Sequence, residues 1–295
     1  MRTNLTFPHN PLALVASALL LALCAPLAAA DAPAWVDDFA EQIYKAWHAG
    51  APMPQLSAAH PEATLADGYA VQQRFMTRVL EDDTIGGFKA AVVGQGGQDN
   101  LGVDGPIVGV VPGSGVLAAK DNVTIDLADY PNRAVETEIG YIFDTAVDAP
   151  PADVEALRRH VKAVALVIEV PGGLTEDKHP ATAADLAAWN GNARTIIVGP
   201  EHAPSEHDLD AIEIKLTHDG ETINTAQGGQ AAGGQWATLL KAVNGIVGQG
   251  YTIQPGHVFT NGALGDIVKA EVGEYRADYG LLGGVVFSVV DSAAE

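Results

Sequence analysis

The sequence predicts an α+β protein in which a mixed, barrel-like roll of short strands is flanked by helices. After about residue 100, short apolar runs alternate with Gly, Pro, Asn and Asp, a pattern typical of closely spaced strands. Before residue 100, apolar side chains recur at spacings of three and four over two long stretches, which indicates amphipathic helices. The even spacing of the short strands favours a sheet that rolls up towards a barrel.

The first thirty residues have the pattern of a secretory signal peptide. Arg2 supplies a basic start, Leu12–Leu23 is apolar but too short to cross a bilayer comfortably, and small residues end at Ala30. We therefore expect an exported protein, periplasmic or secreted, cleaved near Ala30. The alternatives are an uncleaved N-terminal anchor and a lipoprotein modified at Cys24, although a lipobox needs a small residue where Leu23 stands.

The rest of the chain is predicted to form two regions. Residues 31–100 are expected to be mainly helical and to pack on a β-roll domain formed by residues 101–295. Gly94–Gly97 is interpreted as a flexible loop that follows a first strand. Helices are predicted at Ala34–His48, Leu65–Leu80, Ala152–Lys162 and Gln235–Gln249. Strands are predicted at Phe88–Val93, Ile107–Val111, Asn122–Leu127, Val135–Phe143, Ala163–Val170, Thr195–Val198, Ile212–Thr217, Val258–Thr260, Ile267–Val272 and Val285–Val289.

Charge and cysteine content exclude several classes of function. The chain has 37 acidic and 16 basic residues and a net charge of −21, which argues against binding nucleic acid or an anionic membrane. The apolar runs after residue 31 are short and interrupted by Gly or charge, so we expect no stable membrane anchor. The single cysteine, Cys24, falls inside the predicted signal, which leaves no thiol for catalysis in the mature protein.

Three glutamates are the strongest candidates for chemistry. In the strand that ends at Phe143, Glu136 and Glu138 point to the same face and lie about 7 Å apart at the backbone. Glu169 ends an apolar strand that is predicted to be buried, where an ionised carboxylate needs a partner. Carboxylates without nearby Cys or His suit a hard cation such as Mg²⁺ or Mn²⁺. The alternative is a solvated strand face, with Glu169 as a cap or salt-bridge partner.

Several short motifs, in order, carry a resemblance to a known family. They are Leu65-Ala66-Asp67-Gly68-Tyr69-Ala70-Val71-Gln72, Gly87-Phe88-Lys89, Leu101-Gly102-Val103-Asp104-Gly105-Pro106, Glu136-Thr137-Glu138 and Glu169. Together they resemble the 2-keto-4-pentenoate hydratase and 4-oxalocrotonate decarboxylase family of the fumarylacetoacetate hydrolase superfamily. The resemblance covers nearly the whole chain after residue 30, and it implies a mixed β-roll like the C-terminal domain of that superfamily.

The resemblance also implies roles for individual residues. Glu136, Glu138 and Glu169 match the family's Mg²⁺ or Mn²⁺ ligands, Lys89 its active-site lysine and Asp104 an acid near the substrate. The residues alone leave an alternative open for each: Lys89 as a surface lysine, and Asp104 as a turn residue before Gly105-Pro106. Lys89 would hold developing enolate charge, or would move a proton if burial lowers its pKa.

The chain departs from the family's pattern beside the site. Val170–Gly173 follows Glu169 where the family has an Asp-x-Arg-like pair, and His257 stands where an aspartate is usual. Ala188-Trp189-Asn190 replaces an Ala-Asp-Asn segment, so that Trp189 is either a packing residue or a wall of the pocket. We assign Trp189, Asn190 and Thr260 to substrate binding.

These observations predict a metal-dependent hydratase or decarboxylase that acts on a small 2-oxo or 2-hydroxy-dienoic acid. The resemblance implies a homo-oligomer whose partner is that small molecule. Two alternatives remain open: a hydrolase that cleaves a C–C bond in acylpyruvates, and an exported binding protein that has kept the cavity and lost the chemistry.

Overall fold

The computed structural model describes residues 32–204 and 207–294. The predicted signal peptide and its cleavage site lie outside the described residues. From Pro33 onwards the described chain forms one compact unit. No helix within the described ranges is long and apolar enough to cross a membrane.

Seven α-helices are present in the described part of the chain. They are α1 (Val36–His48), α2 (Leu56–Ala59), α3 (Leu65–Val79), α4 (Gln95–Leu101), α5 (Val154–Arg158), α6 (Ala183–Ala188) and α7 (Gln235–Gly248). The predictions of α1, α3 and α7 are confirmed. Helix α3 begins with a capping box in which Thr64 and Asp67 satisfy each other's backbone N–H groups. Helix α5 is shorter than predicted, because the chain from Val161 onwards enters a strand.

The prediction of a flexible loop at Gly94–Gly97 is wrong. Gly94 is the N-cap of α4, and the helix ends at Gly102, which adopts a left-handed conformation with φ of 65°. The buried side chain of Gln98 donates a hydrogen bond of 3.0 Å to the carbonyl of Val92. This tertiary contact stabilises a helix that the low helix propensity of its glycines disfavours.

The larger sheet has eight strands. Their order is β2-β1-β10-β5-β6-β7-β3, and β11 pairs with β5 beside β10. Their bounds are β1 Ile85–Ala91, β2 Ile107–Pro112, β3 Val116–Ala118, β5 Ala134–Phe143, β6 Val161–Val170, β7 Thr195–His202, β10 Val258–Thr260 and β11 Leu264–Lys269. Strand β10 is parallel to β1, whereas the β1–β2, β5–β10 and β5–β6 pairs are antiparallel.

The larger sheet is strongly curled. Strands β2 and β3 lie at opposite ends of the strand order, yet only Gly113–Gly115 joins them. Because three residues span about 10 Å at most, the two ends of the sheet must approach each other. The predicted mixed α+β architecture with a rolled sheet is therefore confirmed. The predicted boundary at residue 100 stays a prediction, and β1 shows that the first region also contributes a strand to this sheet.

The smaller sheet has five strands in the order β4-β13-β12-β8-β9. Strand β4 is parallel to β13, and the other neighbouring pairs are antiparallel. Their bounds are β4 Thr124–Asp126, β8 Glu213–His218, β9 Glu221–Gln227, β12 Gly273–Asp278 and β13 Gly284–Val290. Strands β3, β9 and β12 are missing from the predictions. Strand β9 has mostly polar, exposed residues, so it lacks the apolar alternation that marks a strand.

Both faces of β5 are buried, and they belong to different apolar clusters. Ile139, Tyr141 and Phe143 pack in the main core. Ile142, on the other face, belongs to a second, smaller cluster with Val167 and Val258. Since side chains alternate along a strand, Glu136 and Glu138 share the face of this smaller cluster. The sheet therefore places two carboxylates in a largely apolar interior.

Candidate metal centre

Two neighbouring strands bring the three predicted glutamates together. In the antiparallel β5–β6 pair, Glu136 lies opposite Glu169, and Glu138 lies opposite Val167. One carboxylate oxygen from each of the three glutamates lies within 4.8 Å of the others. Glu136 is 5% exposed, and Glu138 and Glu169 are fully buried at 0%. The alternative of a solvated strand face is therefore wrong.

Lys89 on β1 supplies a cationic group to the same cluster. Its Nζ lies 2.5 Å from Oε2 of Glu169 and 3.7 Å from Oε2 of Glu136. It also donates a hydrogen bond of 3.2 Å to the carbonyl of Gly191. With 4% exposure, Lys89 is not the surface residue that the alternative interpretation proposed.

The cluster contains three carboxyl groups and one cationic group, the ammonium of Lys89. Burial would lower the pKa of Lys89, but the charges of Glu136, Glu169 and Glu138 outweigh it and raise that pKa above its ordinary value. The condition for a proton-transferring lysine, a pKa lowered by burial, is therefore not met here. Burial raises the pKa of Glu138, and it raises the pKa of Glu169 well above its ordinary value, although Lys89 opposes both shifts.

The carboxylates present oxygens that a cation would satisfy. Glu138 accepts a hydrogen bond of 3.0 Å from the backbone N–H of Gly262 through Oε2. Among the described residues, Oε1 of Glu138 and Oε1 of Glu169 have no hydrogen-bond partner. Buried acceptors without donors cost free energy, and an all-carboxylate donor set with room for water suits Mg²⁺ or Mn²⁺. The residues present therefore fit a hard divalent cation.

Thr260 joins the cluster, whereas Asp104 does not. In the sheet, Thr260 lies between Lys89 of β1 and Gly140 of β5, so its side chain shares the face of the glutamates. Thr260 is fully buried, and its hydroxyl has no hydrogen-bond partner within the described ranges. Asp104 is exposed in a bend before β2, and no hydrogen bond or ion pair in the described chain links it to the glutamates.

The structure gives Trp189 and Asn190 other contacts than those of a pocket wall. Trp189 is 4% exposed, packs in the main core and donates a hydrogen bond of 2.8 Å from its indole to the carbonyl of Pro54. Asn190 uses both polar atoms of its amide on the backbone of Val110. Neither side chain offers a free polar group to a substrate.

Two backbone groups also contact the charged side chains of the site. The carbonyl of Gly191 contacts Lys89, and the N–H of Gly262 contacts Glu138. Backbone groups carry no residue-type signature. The one available signal is the Asn190-Gly191-Asn192 triplet, because Asn and Gly favour left-handed turns.

The centre is closed to solvent. Its four charged residues are at most 5% exposed. Five surface cavities of 360 to 680 Å³ in the described part of the chain are lined by other residues.

Comparison with known proteins gives relatives of low identity over most of the chain. No family model matches the sequence. It is 24% identical over 240 residues to a 2-keto-4-pentenoate hydratase of Paraburkholderia xenovorans (strain LB400), covering 81% of this chain and 88% of that protein. It is 24% identical over 255 residues to a 4-oxalocrotonate decarboxylase of Pseudomonas sp, covering 86% of this chain and 97% of that protein.

A solved structure shows the same fold. The 4-oxalocrotonate decarboxylase from Pseudomonas putida G7, complexed with magnesium and adipate, superposes with a TM-score of 0.78 at 21% identity, covering 86% of this chain and 97% of that one. The predicted resemblance is confirmed. The superposition extends through the helical first region as well as the β-roll, since so large a share of both chains is matched.

Proposed function

We propose that this protein is a divalent-metal-dependent lyase that acts on a small 2-oxo or 2-hydroxy-dienoic acid, either by adding water or by releasing CO₂. The observation that carries the proposal is the buried cluster of Glu136, Glu138 and Glu169 within 4.8 Å of one another, with Lys89 against it. The relatives support the reaction class, since they are a hydratase and a decarboxylase. The decarboxylase of the same fold holds magnesium and a dicarboxylate.

The charged and polar residues of the cluster have different roles in this proposal. Glu136, Glu138 and Glu169 would hold Mg²⁺ or Mn²⁺, which when bound supplies Lewis-acid polarisation of the substrate's 2-oxo group. Lys89, whose pKa the three glutamates raise, offers N–H donors and positive charge to an oxygen that becomes negative during the reaction. The unpartnered hydroxyl of Thr260, on the same face, is placed to donate to the substrate's carboxylate.

Asp104 has no part in this proposal. It is exposed in a bend before β2, and no hydrogen bond or ion pair in the described chain links it to the cluster.

The test is a metal-binding and turnover assay on purified protein. Mn²⁺ binding is measured by calorimetry, and turnover by the loss of ultraviolet absorbance of 2-hydroxy-dienoates, with acylpyruvates and 2-oxo acids as comparison substrates. We expect turnover that a chelator abolishes and that Glu169→Gln reduces by at least a hundredfold. Glu213→Gln, an exposed glutamate on β8, is the matched control and should behave as wild type.

Three results would contradict the proposal in different ways. Cleavage of acylpyruvates with no change to dienoates would assign the hydrolase alternative. Metal and ligand binding without turnover of any substrate would assign the binding protein. Full turnover by Glu169→Gln would remove the glutamate cluster from the chemistry altogether.

Export and self-association are further proposals. The basic start, apolar stretch and small residues up to Ala30 support export with cleavage near Ala30. Mass spectrometry of the mature N-terminus after expression of the full chain would test this, and a protein beginning at Met1 would refute it. The resemblance supports a homo-oligomer, and light scattering that gives the mass of a monomer would refute that.

A further inference from the structure

The turn Asn190–Asn192, which carries Gly191, has an unusual backbone. Its three residues have consecutive positive φ angles of 59°, 56° and 60°. Residues other than glycine rarely adopt this left-handed region, and they adopt it singly. Such a run persists only where the surroundings hold it in place.

Two asparagine side chains hold the turn. Asn190 accepts from the N–H of Val110 at 2.7 Å and donates to its carbonyl at 2.8 Å. Asn192 accepts from the N–H of Gly173 at 2.7 Å and donates to its carbonyl at 3.0 Å. Each side-chain amide thus bonds both the N–H and the carbonyl of one residue, as the backbone of a neighbouring strand would. The turn is fastened on one side to β2 and on the other to the segment that leaves β6 after Glu169.

The fastened turn lies directly over Lys89. Gly109 is the register partner of Lys89 in the β1–β2 pair. A Cβ atom at Gly109 would lie 2.1 Å from the carbonyl oxygen of Asn190, so this close approach requires glycine. In that position the carbonyl of Gly191 accepts the hydrogen bond from Nζ of Lys89.

We propose that the turn Asn190–Asn192 is a positioning clamp that holds the ammonium group of Lys89 among the three glutamates, where it opposes binding of the divalent cation. The acceptors of the ammonium group are two carboxylates and one carbonyl, and the clamp fixes the carbonyl. Loosening the clamp lets Lys89 leave the cluster, which removes a positive charge from the neighbourhood of the ion. This inference rests on the proposed metal site, but it needs no reaction and no substrate.

The test is a double-mutant cycle read by the Mn²⁺ dissociation constant from calorimetry. Asn192→Gly removes both side-chain hydrogen bonds while glycine tolerates the left-handed conformation. We expect Lys89→Met to tighten Mn²⁺ binding at least tenfold, and Asn192→Gly to tighten it about three- to tenfold, a size typical of coupled neighbours. In the Lys89→Met background, Asn192→Gly should change the dissociation constant less than twofold.

Two further variants make the result decisive. Asn190→Gly releases the turn from β2 and should give the same pattern, so the inference does not depend on the folding of one variant. Asn224→Ala is the matched control, because Asn224 bonds the backbone N–H and carbonyl of Asp266 in the same way, at 3.2 Å and 3.1 Å, but does not contact Lys89. It should leave Mn²⁺ affinity unchanged in both backgrounds.

The outcomes separate this inference from the proposed function. Equal changes of affinity in both backgrounds, or weaker binding in Asn192→Gly, would show a merely structural turn and overturn the clamp. Lys89→Met with unchanged affinity would overturn it as well. If wild-type protein fails to bind Mn²⁺ at all, the metal site falls and the clamp with it, whereas binding without turnover refutes the lyase and leaves the clamp intact.

Discussion

Replacing Glu138 by glutamine should stabilise the metal-free protein and remove its response to metal. The variant keeps the shape of the side chain, and its amide oxygen can still accept from the N–H of Gly262. Its new NH₂ group faces Glu169, one of whose buried oxygens, Oε1, has no hydrogen-bond partner in the described chain. The substitution therefore removes a negative charge from the cluster and adds a donor that the cluster needs.

The size of the effect follows from the distances. Two unit charges at most 4.8 Å apart repel by at least about 3 kcal/mol at an effective dielectric constant of 20. Uptake of protons by the raised-pKa glutamates already relieves part of this repulsion, so we expect a net gain of about 1–2 kcal/mol, or roughly 2–8 °C in Tm. Wild-type protein should instead gain about 2.7 kcal/mol when Mn²⁺ is present at a hundred times its dissociation constant.

The assay is thermal and urea unfolding followed by circular dichroism, with EDTA in one series and Mn²⁺ in the other. The order of stability should invert: Glu138→Gln is the more stable protein in EDTA and the less stable in Mn²⁺. Glu213→Gln, exposed on β8, should match wild type in both series. A Glu138→Gln protein that is destabilised in EDTA, or that gains as much from Mn²⁺ as wild type, would refute the carboxylate cluster as a metal site.

Three other substitutions test the surroundings of the cluster. Gly262→Ala places a Cβ 2.5 Å from a Val93 methyl at a φ of 83°, so urea unfolding should show a loss of about 2–4 kcal/mol; a loss under 1 kcal/mol would mean that the strand end adapts freely. Thr260→Val removes an unpartnered buried hydroxyl, so stability should change by less than about 1 kcal/mol while KM for the substrate rises; an unchanged KM would remove Thr260 from the site. Burial tends to raise the pKa of Asp185, but hydrogen bonds from neighbouring Ser and Thr groups lower it overall; its stabilisation is therefore present above the ordinary aspartate pKa and lost as pH falls through the lowered one. Asp185→Asn should accordingly cost about 2–4 kcal/mol at pH 7 and progressively less as pH falls below the ordinary aspartate pKa, and a cost that does not change with pH would contradict this linkage.

The long elements of the fold could be predicted because their patterns are long. Helices α1, α3 and α7 each run for at least thirteen residues and repeat their apolar face several times. Strands β5 and β6 run for ten residues each with buried side chains throughout most of their length. Strand β9 offers no such signal because most of its residues are polar and exposed, and β12 alternates Tyr275 and Ala277 with charged residues over only a few positions.

The candidate site could be predicted in part for the same reason. The two-residue period of a strand places Glu136 and Glu138 on one face whatever the rest of the chain does. The position of Glu169 opposite Glu136 depends on the register of the β5–β6 pair, which short-range patterns do not determine. Asp104 was assigned by resemblance to a motif alone, and in the structure it lies exposed in a bend.

Trp189 shows why a departure from a family's motif need not change a pocket. An indole beside Asn190 suggested a bulky wall next to the glutamates. In the structure the short helix α6 ends at this residue, and the indole turns into the main core, where the carbonyl of Pro54 accepts from its N–H. The indole at this position therefore adds apolar packing to the main core.

The composition of the sheet face around the cluster argues for an ion rather than for a purely structural role. Along that face the neighbours of the charged residues are small or apolar, among them Gly140, Val167 and Val258. A buried pair of opposite charges in such a setting seldom stabilises a fold more than apolar residues of the same volume would. Three carboxylates with one ammonium leave an excess of negative charge there, which makes the metal-free fold less stable than neutral substitutes would. A sheet built to be stable alone would fill these positions with valine. A sheet that binds a divalent cation needs the excess negative charge. Binding of the cation then restores the stability that this charge removes from the metal-free protein.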